Sequence, residues 1–237
     1  MRAPLRALSL VALVGAVPAH ADAFAGIGEL AQSEFRGLSK DLGAAFSYKG
    51  VAPATALGPL GFDIGVEVTD TKMENSSLFA RAGAGGQSRL VIPKVHVHKG
   101  LIGGLDVGAF VATSTDIDAR LFGADIRYTL VDDGLVAPAI ALRASGTKAT
   151  GLGALKVSTM GLDLIVSKRF TALTPYAGVG GVRVQSSADG TSLAEERINQ
   201  ARVFGGLNFN LLTLNLAVEA EKMGDNVSLS AKLGWRF

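Results

Sequence analysis

The stretch Asn226-Val227-Ser228-Leu229-Ser230-Ala231-Lys232-Leu233-Gly234-Trp235-Arg236-Phe237 decides the fold. Val227, Leu229, Ala231, Leu233, Trp235 and Phe237 fall on one side of a two-residue repeat, and the polar or small residues between them fall on the other. An extended chain sends alternate side chains to opposite faces, so this is a strand with one polar and one apolar face. The apolar row needs a nonaqueous neighbour.

The same pattern recurs upstream. Phe62 to Val68 alternates with Asp63, Gly65 and Glu67; Val95 and Val97 alternate with Lys94, His96 and His98; Leu105 to Val111 alternates with Asp106, Gly108 and Phe110. Further two-faced runs cover 122–130, 140–145, 160–167, 176–185, 207–211 and 214–219, which with the terminal strand makes ten. In the run at 176–185, Tyr176, Val182 and Val184 are read as the lipid face and Arg183 as lumen. Asp132-Asp133-Gly134, Gly103-Gly104 and Gly224-Asp225-Asn226 supply tight-turn chemistry between strands. Longer polar segments at 73–88 and 187–199 fall at the same end when direction alternates back from Phe237. The expectation is a single antiparallel transmembrane β-barrel of ten strands, with twelve as the alternative if Leu42 to Lys49 and Leu78 to Ala84 were strands as well. No stretch after the amino-terminal region holds 18 consecutive apolar residues, but a barrel strand crosses a bilayer with about 10 residues, half of them apolar.

The amino terminus reads as an export signal. Arg2 and Arg6 precede a short apolar run from Leu8 to Val17, and Ala19-His20-Ala21 and Ala21-Asp22-Ala23 both satisfy the small-x-small rule for cleavage. Residues 1–23 are therefore expected to be removed, leaving 24–58 as an amino-terminal segment and 59–237 as the barrel. In 24–58, Ile27, Leu30, Phe35, Leu38 and Leu42 recur at helical spacing beside Glu29, Glu34, Arg36 and Lys40. This predicts a short amphipathic helix that could plug the lumen.

Composition narrows the chemistry. The sequence has no cysteine, which excludes disulfides and a lipid-modified cysteine. Loss of the signal leaves 21 basic residues against 20 acidic ones, which gives no argument for a nucleic-acid partner. Gly151-Leu152-Gly153 and Gly178-Val179-Gly180-Gly181 lack the strand-to-helix context and the lysine of a phosphate loop, and nothing in the chain calls for a cofactor.

The signal, the opening Thr174-Pro175-Tyr176-Ala177-Gly178-Val179-Gly180 and the ending Leu233-Gly234-Trp235-Arg236-Phe237 together resemble the small outer-membrane β-barrels of proteobacteria. The resemblance implies a Gram-negative outer membrane, outer-membrane lipid as surroundings, and assembly machinery that reads Leu229, Leu233, Trp235 and Phe237. It implies no particular activity, because this fold hosts pores, adhesins, structural proteins and enzymes.

The polar face then defines the candidate site. Asp63, Glu67, Lys94, His96, His98, Asp106, Asp125, Arg127, Arg143, Asp163, Arg183, Arg202, Glu219, Glu221, Lys232 and Arg236 are expected to point into the lumen, either as an ion-paired filling or as a polar path. His96 and His98 share one face and, with Asp106, could hold a divalent metal or orient a base, although His-x-His is a weak metal signal and no nucleophile motif accompanies it. No catalytic residue is assigned. The functional expectation is a narrow or plugged pore for small polar or amphipathic solutes; the alternative is a non-transporting barrel that serves the membrane or meets an external ligand through its long loops, and a lumen hydrolase is the remote third reading. An aromatic belt of Phe62, Tyr128, Tyr176, Trp235 and Phe237 is expected at the periplasmic end, with only Phe122 at the other. Charging Leu164 on the lipid face should cost about 2–4 kcal/mol, and charging Ile165 on the lumen face much less.

Overall fold

The computed structural model describes residues 23–114 and 116–237. The expected signal therefore lies outside the described residues, apart from Ala23. Ten antiparallel strands, each hydrogen-bonded to its neighbours in sequence, close into a barrel. They are β1 (Phe62–Lys72), β2 (Arg89–Gly100), β3 (Leu105–Ser114), β4 (Ala119–Val131), β5 (Ala139–Thr150), β6 (Leu155–Ser167), β7 (Leu173–Ala188), β8 (Glu196–Leu211), β9 (Leu214–Met223) and β10 (Asn226–Arg236). β1 pairs with β10 across the seam, Asp63 facing Arg236 and Thr71 facing Ser228. Phe62 and Phe237 exchange backbone hydrogen bonds of 2.7 and 3.0 Å, so the last residue of the chain completes the closure.

Among the described residues no helix is long and apolar enough to cross a membrane. Two α-helices occur among the described residues, α1 (Gln32–Phe46) and α2 (Ser76–Arg81). Both segments proposed as extra strands are accounted for by them: Leu42 to Phe46 finishes α1, and Leu78 to Arg81 belongs to α2. The helix wins over the strand at 42–46 because its apolar residues continue the face begun by Phe35 and Leu38, and all are buried in one cluster.

Alternation in burial is regular along the wall, as in β10, where every second residue is buried. Outward residues such as Met160, Leu162, Leu164 and Val166 are large, apolar and exposed. An apolar band that encircles the molecule has no stable contact with water and demands a lipid-like surrounding. Tyr128, Trp235 and Phe237 stand outward near the mouth where β1 begins and the chain ends, called here the terminal mouth. Tyr176 does not join them. It is buried and points inward beside Ala141, Ile165 and Phe204.

Inside, the barrel has two levels. At the opposite mouth, called the long-loop mouth for its β1–β2 connection over 73–88, α1 fills the lumen with Phe35, Leu38 and Leu42 packed among Leu90, Ile92, Leu121, Val157, Val184 and Ile198. Gly43 lets the helix approach β7, since a Cβ there would collide with Val184. Toward the terminal mouth the lumen is lined by ionisable side chains.

Candidate functional site

Leaving α1, residues 47–57 descend through the lumen without regular secondary structure and reach the terminal mouth, where Leu57 meets Asp106 and Pro59 accepts a hydrogen bond from Lys99. A buried stretch outside any helix or sheet has carbonyls and amides to satisfy, and the barrel wall supplies the partners. Arg202 donates to the Tyr48 carbonyl at 2.7 Å, Lys94 to that of Lys49 at 2.7 Å, Arg127 to that of Pro53 at 2.7 Å, and Thr129 to that of Ala54 at 2.9 Å. In return the Ala54 amide donates to Ser167 Oγ at 3.1 Å and the Leu57 amide to Asp106 Oδ1 at 3.1 Å.

Each wall cation that holds the segment is itself balanced by a carboxylate. Arg202 and Arg143 share Asp163, the latter at 2.9 Å; Arg127 meets Asp106 at 2.5 Å; Lys94 meets Glu67 at 2.6 Å. A guanidinium has five N–H donors, so one carboxylate leaves it donors for the plug carbonyls. Lys49 returns a charge from the plug to the wall, 3.4 Å from Glu221, and also caps the Ala44 carbonyl at the end of α1 at 2.6 Å. Near the terminal mouth Asp63 gathers His96 at 3.3 Å, Lys232 at 2.9 Å and Arg236 at 2.5 Å. Gly50 passes directly under Arg143, where a Cβ would strike the guanidinium. Val51 adopts φ +40, an unfavourable backbone for a β-branched residue that its crowded surroundings hold in place.

The two histidines do not converge on Asp106. His98 Nε2 lies 3.2 Å from Asp125 and 2.9 Å from the Tyr48 hydroxyl, which donates to Asp125 at 2.6 Å; His96 turns to Asp63; Asp106 is taken by Arg127 and the Leu57 amide. Among the described residues no group of three His, Cys, Asp or Glu side chains could hold a metal ion. The three side chains weighed as a remote base or metal site are thus split between three separate contacts, His98 with Asp125, His96 with Asp63 and Asp106 with Arg127.

Of the residues expected in the lumen, Arg183 is misplaced. It stands outward and exposed, with Nε 3.1 Å from Asn199 Oδ1, while Val182 and Val184 on either side point in against α1. The remaining fifteen residues of that expected set lie on the inward face. Sequence reasoning missed Tyr48 and Lys49. Their signal is faint: a tyrosine and a lysine directly after a helix, ahead of a Gly50-to-Pro53 stretch too irregular for a strand.

No protein-family model and no curated protein matches the sequence. Solved structures similar to it include the KdgM porin, at 9% identity and TM-score 0.36 over 75% of this chain and 99% of that one. The outer-membrane protease OmpT of Escherichia coli is similar at 10% identity and TM-score 0.42, over 75% and 96% of the two chains. The translocator domain of the autotransporter NalP from Neisseria meningitidis matches at 12% identity and TM-score 0.41 over 92% of this chain and all of that one. At such low similarity none of them bears on what this chain does.

Proposed function

We propose that this chain is an integral outer-membrane β-barrel held shut by its own amino-terminal segment, through which small polar solutes pass only when that segment withdraws. The observation that carries this reading is the course of residues 24–57: it enters at the long-loop mouth, fills the apolar level as α1, and is held by wall charges down to the terminal mouth. The apolar exterior supports the membrane placement, and the long β1–β2 connection at the opposite mouth supports a periplasmic orientation for the terminal mouth. The long-loop mouth, with the start of the described chain, then faces outward. A second reading, a barrel that never opens and serves the membrane or the cell surface, is favoured by the number of plug carbonyls the wall satisfies. Rare transient currents in the intact protein favour passage, and permanent silence favours the second reading.

Orientation is tested directly because the chain has no native cysteine. Glu29 and Leu135 are both exposed, the first at the long-loop mouth and the second in the turn between β4 and β5. A membrane-impermeant maleimide should label Glu29→Cys on intact cells and Leu135→Cys only after the outer membrane is permeabilised. The reverse pattern, or recovery of the protein from the periplasm without detergent, would refute the placement.

A further inference from the structure

At the long-loop end the polarity of the wall inverts. From β2 to β7 the lumen-facing residues there are mostly apolar, around α1, and the neighbouring outward positions on β4 to β9 are basic. Arg120 on β4, Lys148 on β5, Lys156 on β6, Arg183 on β7, Arg197 on β8 and Lys222 on β9 all stand outward and exposed, one on each of six consecutive strands. No outward position of those strands carries a carboxylate. Lys156 leans on Asp189 and Arg197 on Glu195, both from the β7–β8 connection. Arg120, Lys148, Arg183 and Lys222 have no carboxylate partner among the described residues.

These charges border the apolar band. Lys148 is in register with Phe122 and Arg183 with Met160, both large, outward and exposed. Below Arg120 an exterior groove of about 370 Å³ runs between Val66, Val95, Val111 and Phe122. The terminal mouth is built differently, with Tyr128, Phe209 and Trp235 in the equivalent outward positions. Aromatic rings suit any headgroup region, whereas an arc of like charges repels itself unless anions sit against it.

We propose that this arc binds the phosphate groups of outer-leaflet lipids, with an acyl chain of the lipid bound at Arg120 lying in the groove beneath it; the inference rests on the membrane placement argued above. Lysine and arginine at the boundary of an apolar band match a headgroup phosphate in charge, donor geometry and depth. The occupant is a phosphorylated amphiphile, because a free phosphate would leave the groove unfilled.

The test uses the full mature protein folded in detergent, with lipid retention read by native mass spectrometry. The probes are bisphosphorylated lipid A, the same glycolipid without its phosphates, phosphatidic acid and phosphatidylcholine. The wild-type protein should retain phosphorylated lipid A about tenfold more tightly than the dephosphorylated form, the difference shrinking as salt rises. Combined Arg120→Gln, Lys148→Gln, Arg183→Gln and Lys222→Gln should remove that preference, and all four side chains are exposed, so the barrel should still fold. If the combination fails to fold, the pair Lys148→Gln and Arg183→Gln should at least halve the preference. Retention of phosphatidic acid as well would assign recognition to phosphate alone, and retention of lipid A alone to the glycolipid; either sustains the inference. Equal retention of the two glycolipids, or an unchanged preference in a folded variant, overturns it. Failure to enter vesicles of any composition would instead refute the membrane placement.

Discussion

Asp163 lies between Arg143 and Arg202, and all three side chains are buried. Asp163→Asn would leave two guanidiniums without their shared countercharge, which should cost about 3–5 kcal/mol, whereas removing an exposed pair such as Lys72–Glu74 should cost under about 1 kcal/mol. Urea unfolding followed through Trp235, the sole tryptophan, reads the difference, and equal midpoints would mean that the network bears no load. Ile165 corrects an expectation at the same scale. It is buried against Ala141, Tyr176 and Phe204, so Ile165→Lys should be at least as costly as the roughly 2–4 kcal/mol expected at lipid-facing Leu164. The inward face was legible where it carries charges, since polar residues at period two have one reading. It was misread at Tyr176, Val182, Arg183 and Val184, where the interior is locally apolar or the exterior locally basic and polarity no longer marks the side.

For α1 the sequence carried the helix and its amphipathic face, but its place in the long-loop half of the lumen depends on contacts that no local pattern encodes. Gly43 is the residue that permits it. Gly43→Leu should push α1 away from Val184 and destabilise the barrel by about 1–3 kcal/mol of overpacking, seen as a lower temperature for loss of the compact form on unheated gels. An unchanged transition would mean that the helix does not bear on β7. For β10 the prediction concerns assembly. Trp235→Asp puts a charge on the lipid face, and deletion of Phe237 removes both backbone bonds to Phe62, so each should lower the yield of folded barrel in membranes; normal yields in both would contradict the assembly role of this strand.

Across the whole molecule, ten strands were readable because the wall repeats one rule, apolar toward lipid and polar toward the lumen. The helical part of the plug was readable as a segment that could occlude the lumen; the part that follows it was not, because residues 47–57 form no element: their conformation is set by Arg202, Lys94, Arg127 and Thr129 reaching in from the wall. Those contacts turn a mixed-charge lumen, which by itself resembles a solute path, into a clamp on an irregular peptide segment. Planar-bilayer conductance of the intact mature protein beside a variant lacking residues 24–57 tests this most directly. The plugged barrel predicts no steady current from the intact protein and sustained current from the deletion variant. Steady current of the same size from both would contradict it.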